Sequence, residues 1–232
     1  MLSVGLGNEQ NRIDWVAKKL KELPAGSRLL DAGAGEQQYK IYCSHLKYVS
    51  QDFAKYEGVG DGVGLQTGKW DNNKLDIISD ITNIPEPDGS FDAIMCTEVF
   101  EHIPDPITVI KEFSRLLKKG GVLIVTAPFC SLTHFSPYHF YTGFNRYFYQ
   151  TLLTKYGFHL LEIQSNGNYF EYLAQEIRRV IPVAKKYSNT NISIIEKIVL
   201  GLALIVLQRL SKKDAGSNEL LCYGYHVFAT KE

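Results

Sequence analysis

Paired cysteines, an excess of charge and a long apolar run are all missing from this chain. Cys43, Cys96, Cys130 and Cys222 stand far apart, without the close spacing of a zinc site or the clustering of a disulfide framework, so no metal site is expected. Cys96 and Cys222 lie in apolar runs and read as buried free thiols, which suits a reducing cytoplasm. Lys plus Arg and Asp plus Glu both number 25, giving a formal net charge of zero. Proteins that grip nucleic acid are usually basic, so no such partner is expected. No uninterrupted apolar run reaches the roughly 20 residues that span a bilayer. Met1 to Gly7 lack the basic start and long apolar stretch of a signal peptide. These absences predict a cytoplasmic protein. The 232 residues, 45% hydrophobic and 22% charged, bury a sizeable core and fit one α/β domain, 1–232, with an insertion.

What is present is an alternation of strands and helices. Ile13, Val16, Ala17, Leu20 and Leu23 recur at helical spacing, with Asn8 and Asn11 as candidate caps and Pro24 and Gly26 as the stop. Leu29 and Leu30 then end a buried strand, and Gly33 and Gly35 let the backbone turn sharply. A helix is expected over roughly 37–45. Strands follow at Tyr48–Phe53, Leu75–Ile78, Phe91–Thr97, Val122–Thr126 and Phe158–Gln164, with a last one within Leu220–Thr230. Helices are expected over Ile107–Leu117, from Asn145 to Gly157, and over Phe170–Val180. Between Ala54 and Asn73 runs a glycine-rich connection, either a surface excursion or a flap on the substrate side. The alternation implies an α/β class with a mostly parallel sheet covered on both faces.

Three carboxylates punctuate the strand ends. The dinucleotide fingerprint needs a third glycine where Gln38 stands, and Asp31 beside the turn would repel a pyrophosphate. An ammonium group would instead gain a charge-assisted contact with Asp31. Asp52 follows about 20 positions later, where a carboxylate accepts from ribose hydroxyls. Asp80 ends the third strand and can accept from an exocyclic amine. Together they fit a cofactor with an amine, a ribose and an adenine, and without phosphate.

Leu29-Leu30-Asp31-Ala32-Gly33-Ala34-Gly35 resembles the first motif of class I S-adenosylmethionine-dependent methyltransferases. Asp80-Ile81-Thr82-Asn83-Ile84-Pro85 and Pro87-Asp88-Gly89-Ser90-Phe91-Asp92-Ala93-Ile94 continue the likeness in order. Glu98-Val99-Phe100-Glu101-His102-Ile103-Pro104-Asp105-Pro106 and Arg115-Leu116-Leu117-Lys118-Lys119-Gly120-Gly121 extend it. The set is similar to small-molecule methyltransferases that include quinone-biosynthesis enzymes. The resemblance covers 28–128 closely and implies a Rossmann-like seven-stranded sheet with an antiparallel last strand. It also implies S-adenosyl-L-methionine as cofactor, with Asp31, Gly33 and Gly35 at the methionyl end, Asp52 on the ribose, and Asp80 and Ile81 at the adenine. Thr97 and Glu98 would face the sulfonium. Gln37 departs from the pattern, which often has a third glycine there.

The remaining stretches bear on the acceptor. Residues 129–150 are dense in Phe and Tyr and are expected to form a substrate lid. Candidate bases for methyl transfer are His102, His134, His139, Glu98 and Glu101; the histidines read equally as loop residues. Residues 168–215 form a helical insertion whose apolar stretch, 192–210, has basic flanks. It reads as a helix buried in the domain or in a dimer contact, with a peripheral position at a lipid surface as the alternative. The expected activity is in-line methyl transfer to a small-molecule or lipid-linked acceptor. The rivals are a non-catalytic cofactor-binding partner or sensor, and a nicotinamide-dependent oxidoreductase, which Gln38 and Asp31 disfavour.

Overall fold

The computed structural model describes residues 2–232. Its elements run α1 (Asn8–Lys21), β1 (Arg28–Ala32), β2 (Lys47–Asp52), β3 (Ile77–Ile78), β4 (Phe91–Thr97), α2 (Pro106–Leu116), β5 (Leu117–Pro128), α3 (Arg146–Lys155), β6 (Phe158–Asn166), α4 (Tyr169–Val183), α5 (Ile194–Ser211) and β7 (Gly224–Lys231). The seven strands form one sheet in the order β3-β2-β1-β4-β5-β7-β6. β1 pairs in parallel with β2 and β4, and β4 in parallel with β5, whereas β7 runs antiparallel to β5. The expected class and the reversed last strand are therefore observed. The order reverses between β1 and β4, which is where an open α/β sheet leaves a crevice at its carboxyl edge.

The chain divides into two compact units, Arg12–Gln164 with Gly224–Glu232, and Met1–Asn11 with Ser165–Tyr223. In the larger unit Trp15, Val16 and Leu20 of α1 pack with Leu29, Ala93, Met95 and Ile124 of the sheet. The periodic face of α2, namely Val109, Ile110, Phe113 and Leu116, is wholly buried. Asp105 caps α2 by accepting from the Thr108 amide. Several residues that carry the family likeness serve as braces. Asp92 accepts from the Arg28 amide and from Lys118 Nζ at 2.8 and 2.6 Å. Arg115 reaches Glu112, Asp88 and the carbonyls of Ile84 and Glu86, which ties down the turn before β4.

In the smaller unit Val4, Ala174 and Leu207 form a core with Phe170, Leu173, Ile177 and Leu204 beside it. Asn168 caps α4, and Ser193 with Glu196 makes a capping box on α5. Of α5 only Leu207 is buried. The reading of 192–210 as a helix buried within the domain is corrected accordingly.

A second correction concerns the segment after the glycine turn. No α-helix spans 37–45; only a 3₁₀ turn, Lys40–Tyr42, forms there. Gln37 takes a φ of +59°, a left-handed conformation that breaks a helix. Tyr39 and Cys43 are drawn into the core instead, and Tyr39, Ile41 and Tyr42 are weak helix formers. The turn thus lacks a helix N-terminus that would favour a phosphate.

Candidate functional site

The carboxyl ends of β1, β2 and β4 open onto a cavity of about 520 Å³ in the larger unit. Asp31, Gly33, Gly35, Asp52, Asp80, Ile81, Thr97 and Glu98 all line it, as does His102. His134 and His139 are not in its wall, but they pack beside His102 with ring centroids 4.6 and 5.9 Å from it. The alternation of buried strands and polar strand ends brings these residues together, because parallel strands deliver their last residues to one edge.

The cavity is acidic. Asp31 is 2% exposed and accepts from the Tyr48 hydroxyl. Burial pushes its carboxyl up to about 7, against the lowering effect of the Tyr48 bond and with a further rise from the charge of Asp52. Burial also raises Asp52, although the amides of Ala54 and Gly35 donate to its two oxygens at 2.9 and 3.1 Å. Each oxygen keeps a further lone pair for another donor. Asp80 is held low by the amide and hydroxyl of Thr82. Glu98 takes a φ of +53° at the end of β4. It accepts from the Thr126 hydroxyl and forms an ion pair with Arg12 at 3.2 Å. Arg12 is thereby engaged, and carboxylates outnumber cations around the cavity.

Aromatic groups cover this acidic floor. Residues 54–76 are a long connection folded onto residues 131–138. The Leu65 amide donates to the Thr133 carbonyl at 3.0 Å, and the Phe135 amide donates to Leu65 at 3.1 Å. Asp61 accepts from the Ser136 hydroxyl at 2.9 Å. Tyr56 stacks on Phe135 with centroids 4.5 Å apart, and Trp70 meets the same ring edge-on at 5.4 Å. Both rings, with Tyr138 and Phe140, line the cavity. The glycine-rich connection is therefore a packed flap rather than a loose surface excursion. Arg12, Tyr56 and Trp70 were not legible as site residues; two aromatics in a glycine-rich run were the available signal.

Behind the cavity wall lies a buried polar cluster. Glu101 is fully buried, and burial together with the charge of Glu98 raises its carboxyl well above the usual range. His102 is pushed down to about 3 by burial and by His134, and burial also lowers His139. A histidine held neutral so far below 7 is a weak proton acceptor. His139 Nε2 lies 3.2 Å from the Ser131 hydroxyl.

A sequence model described as "Methyltransferase domain" matches residues 8–164. The chain belongs to that family. Among curated proteins, the methyltransferase domain is similar to the ubiquinone biosynthesis O-methyltransferase of Xanthomonas axonopodis pv. citri. The two are 32% identical over 118 residues, 50% of this chain and 48% of that protein. A namesake from Marinobacter nauticus is 30% identical over 106 residues, 44% of each chain. The chain thus spans about half the length of these relatives. Among solved structures it resembles phosphoethanolamine N-methyltransferase 2 of Haemonchus contortus in complex with S-adenosyl-L-methionine, with a TM-score of 0.54 and 18% identity over 96% of this chain and 52% of that one. It resembles the cyclase SpnF equally well, with a TM-score of 0.58 and 18% identity over 98% of this chain and 83% of that one. One fold hosting a methyltransferase and a cyclase means that the reaction must be argued from the site.

Proposed function

We propose that this methyltransferase domain binds S-adenosyl-L-methionine in the acidic cavity and transfers its methyl group to a small-molecule or lipid-linked acceptor. The observation that carries the reading is the convergence of Asp31, Asp52 and Asp80 on one cavity that no helix N-terminus serves. That acceptor set suits a cationic ligand with hydroxyls and an exocyclic amine, and it repels a dinucleotide. Asp31, with Gly33 and Gly35, would hold the methionyl ammonium end, Asp52 the ribose hydroxyls, and Asp80 with Ile81 the adenine. Thr97 and Glu98 would face the sulfonium. The bound cofactor supplies an electrophilic methyl carbon, which leaves sulfur with its bonding pair behind as the acceptor atom attacks in line.

The chain's own residues do the rest. Tyr56, Trp70, Phe135 and Tyr138 exclude water and orient the acceptor, which brings reacting atoms within about 3–3.5 Å. Of the three candidate histidines only His102 lines the cavity, with His134 and His139 packed beside it, and the ubiquinone-pathway likeness favours an oxygen acceptor. Calorimetric titration with S-adenosylmethionine, its demethylated product and NAD tests the cofactor assignment. The first two bind and NAD does not; binding of NAD alone overturns it. Asp52→Ala should weaken cofactor binding about tenfold or more, the loss of a charge-assisted hydrogen-bond pair of about 1.5–3 kcal/mol. An unchanged dissociation constant would sink the ribose assignment. Product formation across a panel of acceptors separates an enzyme from a cofactor-binding sensor.

The lipid-linked alternative draws support from α5. Ile194, Ile195, Ile198, Val199, Leu202, Ile205 and Val206 are all exposed, and at about 100° per residue they form one stripe. Lys185, Lys186, Lys197, Arg209, Lys212 and Lys213 stand near it against the two acids Glu196 and Asp214. Among the described residues no helix is long and apolar enough to cross a membrane. An apolar stripe with basic flanks suits insertion into an anionic lipid surface. The chain should float with vesicles containing phosphatidylglycerol, and Ile198→Glu with Leu202→Glu should abolish flotation. Loss of a dimer in the same variant, with no vesicle binding by the parent, would assign the stripe to a subunit contact instead.

A further inference from the structure

We infer that residues 54–76 form a lid over the cofactor cavity, which lifts to admit S-adenosylmethionine and to release its demethylated product. This role rests on the methyl-transfer reading of the cavity. A crossover between parallel strands is usually a helix packed on the sheet. The crossover from β2 to β3 runs instead as irregular backbone that reaches across the carboxyl edge to residues 133–136. A connection this long inside a compact domain is usually functional.

Its seat is made of glycine. An added Cβ at Gly60 would lie 1.9 Å from the Ser136 carbonyl oxygen, and one at Gly64 would lie 2.4 Å from that of Thr133. The two backbones therefore meet with no side chain between them. The Asp61 amide donates to the same Ser136 carbonyl at 3.1 Å. Val59, Val63 and Leu65, by contrast, are exposed. The segment is thus held by backbone contacts and a few rings rather than by an aliphatic core, which puts it among the parts of a fold that open most readily.

The inner side covers the glycine turn. A Cβ on Gly35 would stand 2.5 Å from the Trp70 ring. Gln37, which departs from the family pattern, donates from Nε2 to the Lys74 carbonyl at 2.6 Å and accepts from Lys40 Nζ at 2.8 Å. It ties the far end of the lid to the turn. The near end leaves Asp52 through Phe53, whose ring meets Tyr138 edge-on at 5.0 Å. Both ends are therefore anchored at the cofactor side, while the middle rests on the acceptor side. The cavity beneath is large enough for a ligand with the lid down. Tyr56, Phe135 and His102 stack in series, with centroids 4.5 and 5.0 Å apart, so closure orders the His102 ring as it shuts out water.

Locking and wedging the lid test this with labelled S-adenosylmethionine and an unlabelled chase. Asp61→Cys with Ser136→Cys joins side chains that meet at 2.9 Å, in a Cys130→Ser background because Cys130 is the one free cysteine that is not buried. Oxidised empty chain should take up cofactor about tenfold more slowly or worse, oxidised loaded chain should retain it, and reductant should restore both rates. Gly60→Ala should prop the lid on the Ser136 carbonyl and release cofactor about tenfold faster. Gly62→Ala is the control, since its φ is +78° with nothing within 4 Å of an added Cβ. Thermal melts check folding, and either arm decides alone if the other variant does not fold or cross-link. Parental exchange in the cross-linked chain, or one release rate for both alanine variants, overturns the lid and leaves the cofactor reading intact. A reduced chain that takes up no cofactor overturns that reading, and the lid's role with it.

Discussion

Gly33→Ala should lower cofactor affinity about a hundredfold and destabilise the fold by about 2–3 kcal/mol. Gly33 has a φ of +76°, and an added Cβ would lie 2.5 Å from Val99 Cγ2 and 2.8 Å from Cγ1. The strain of a left-handed alanine is about 1 kcal/mol; the clash is the larger part. Val99 borders the same cavity and is followed by the 3₁₀ turn Phe100–His102, in which Phe100 and Glu101 are buried. Relief of the clash therefore displaces either the glycine turn or the opposite wall, and both would hold the cofactor. Gly26→Ala is the control. Its φ is +82° with nothing within 4 Å of an added Cβ, so it carries the backbone strain without the clash. It should lose about 1 kcal/mol and bind as the parent does. Calorimetry and thermal melts on both variants separate the terms. Parent-like binding by Gly33→Ala would show that this turn does not contact the cofactor.

The strand ends were legible because they combine two strong signals, a buried apolar run and a single acid that terminates it. Leu29-Leu30 before Asp31, and Phe91–Thr97 before Glu98, place polar groups at the carboxyl edge whatever the helices do. The cap of α3 was also legible, since Asn145 acts through side-chain chemistry confined to a few residues. The helix over 37–45 was misread because apolar spacing there reports burial alone; Tyr39 and Cys43 are buried from a 3₁₀ turn as well as from a helix. Third-strand pairing shrank to Ile77–Ile78, since Leu75 and Asp76 lie outside the register that Gln51 and Asp52 offer.

The site's aromatic roof and its buried Glu-His-His cluster were beyond the reach of local pattern. Trp70 and Phe135 meet across a long sequence separation, and His134 joins Glu101 and His102 from a different loop. A Glu-His-His set assembled by loop packing has no fixed spacing to find. The apolar stretch before the last strand was legible as apolar and not as exposed. Periodicity distinguishes the faces of a helix; it does not tell which face a neighbour covers. Seven exposed aliphatic residues of α5 are the outcome.

Cofactor affinity should fall about tenfold for each pH unit below about 7, reaching about a hundredfold between pH 7 and pH 5. The cause is Asp31, whose carboxyl burial holds up at about 7. Its folded pKa lies above the unfolded value, so the neutral acid favours the free fold. That contribution is fully present below about pH 4 and is lost as pH rises through about 7. A cationic ammonium reverses the preference, because it binds the ionised form and draws the pKa down. Affinity is then flat above about 7 and declines below it, while the free protein becomes relatively more stable as pH falls over that window. Asp52 is also raised and would add its own dependence, so the comparison ligand matters. Methylthioadenosine keeps the ribose and adenine but lacks the ammonium; dependence shared with it belongs to Asp52, and the excess seen with S-adenosylmethionine belongs to Asp31. Asp31→Asn should bind weakly at every pH and lose that excess. A parent dissociation constant that stays level from pH 7 to pH 5 would remove Asp31 from the methionyl end, and with it the electrostatic reason for preferring a cationic cofactor over a dinucleotide.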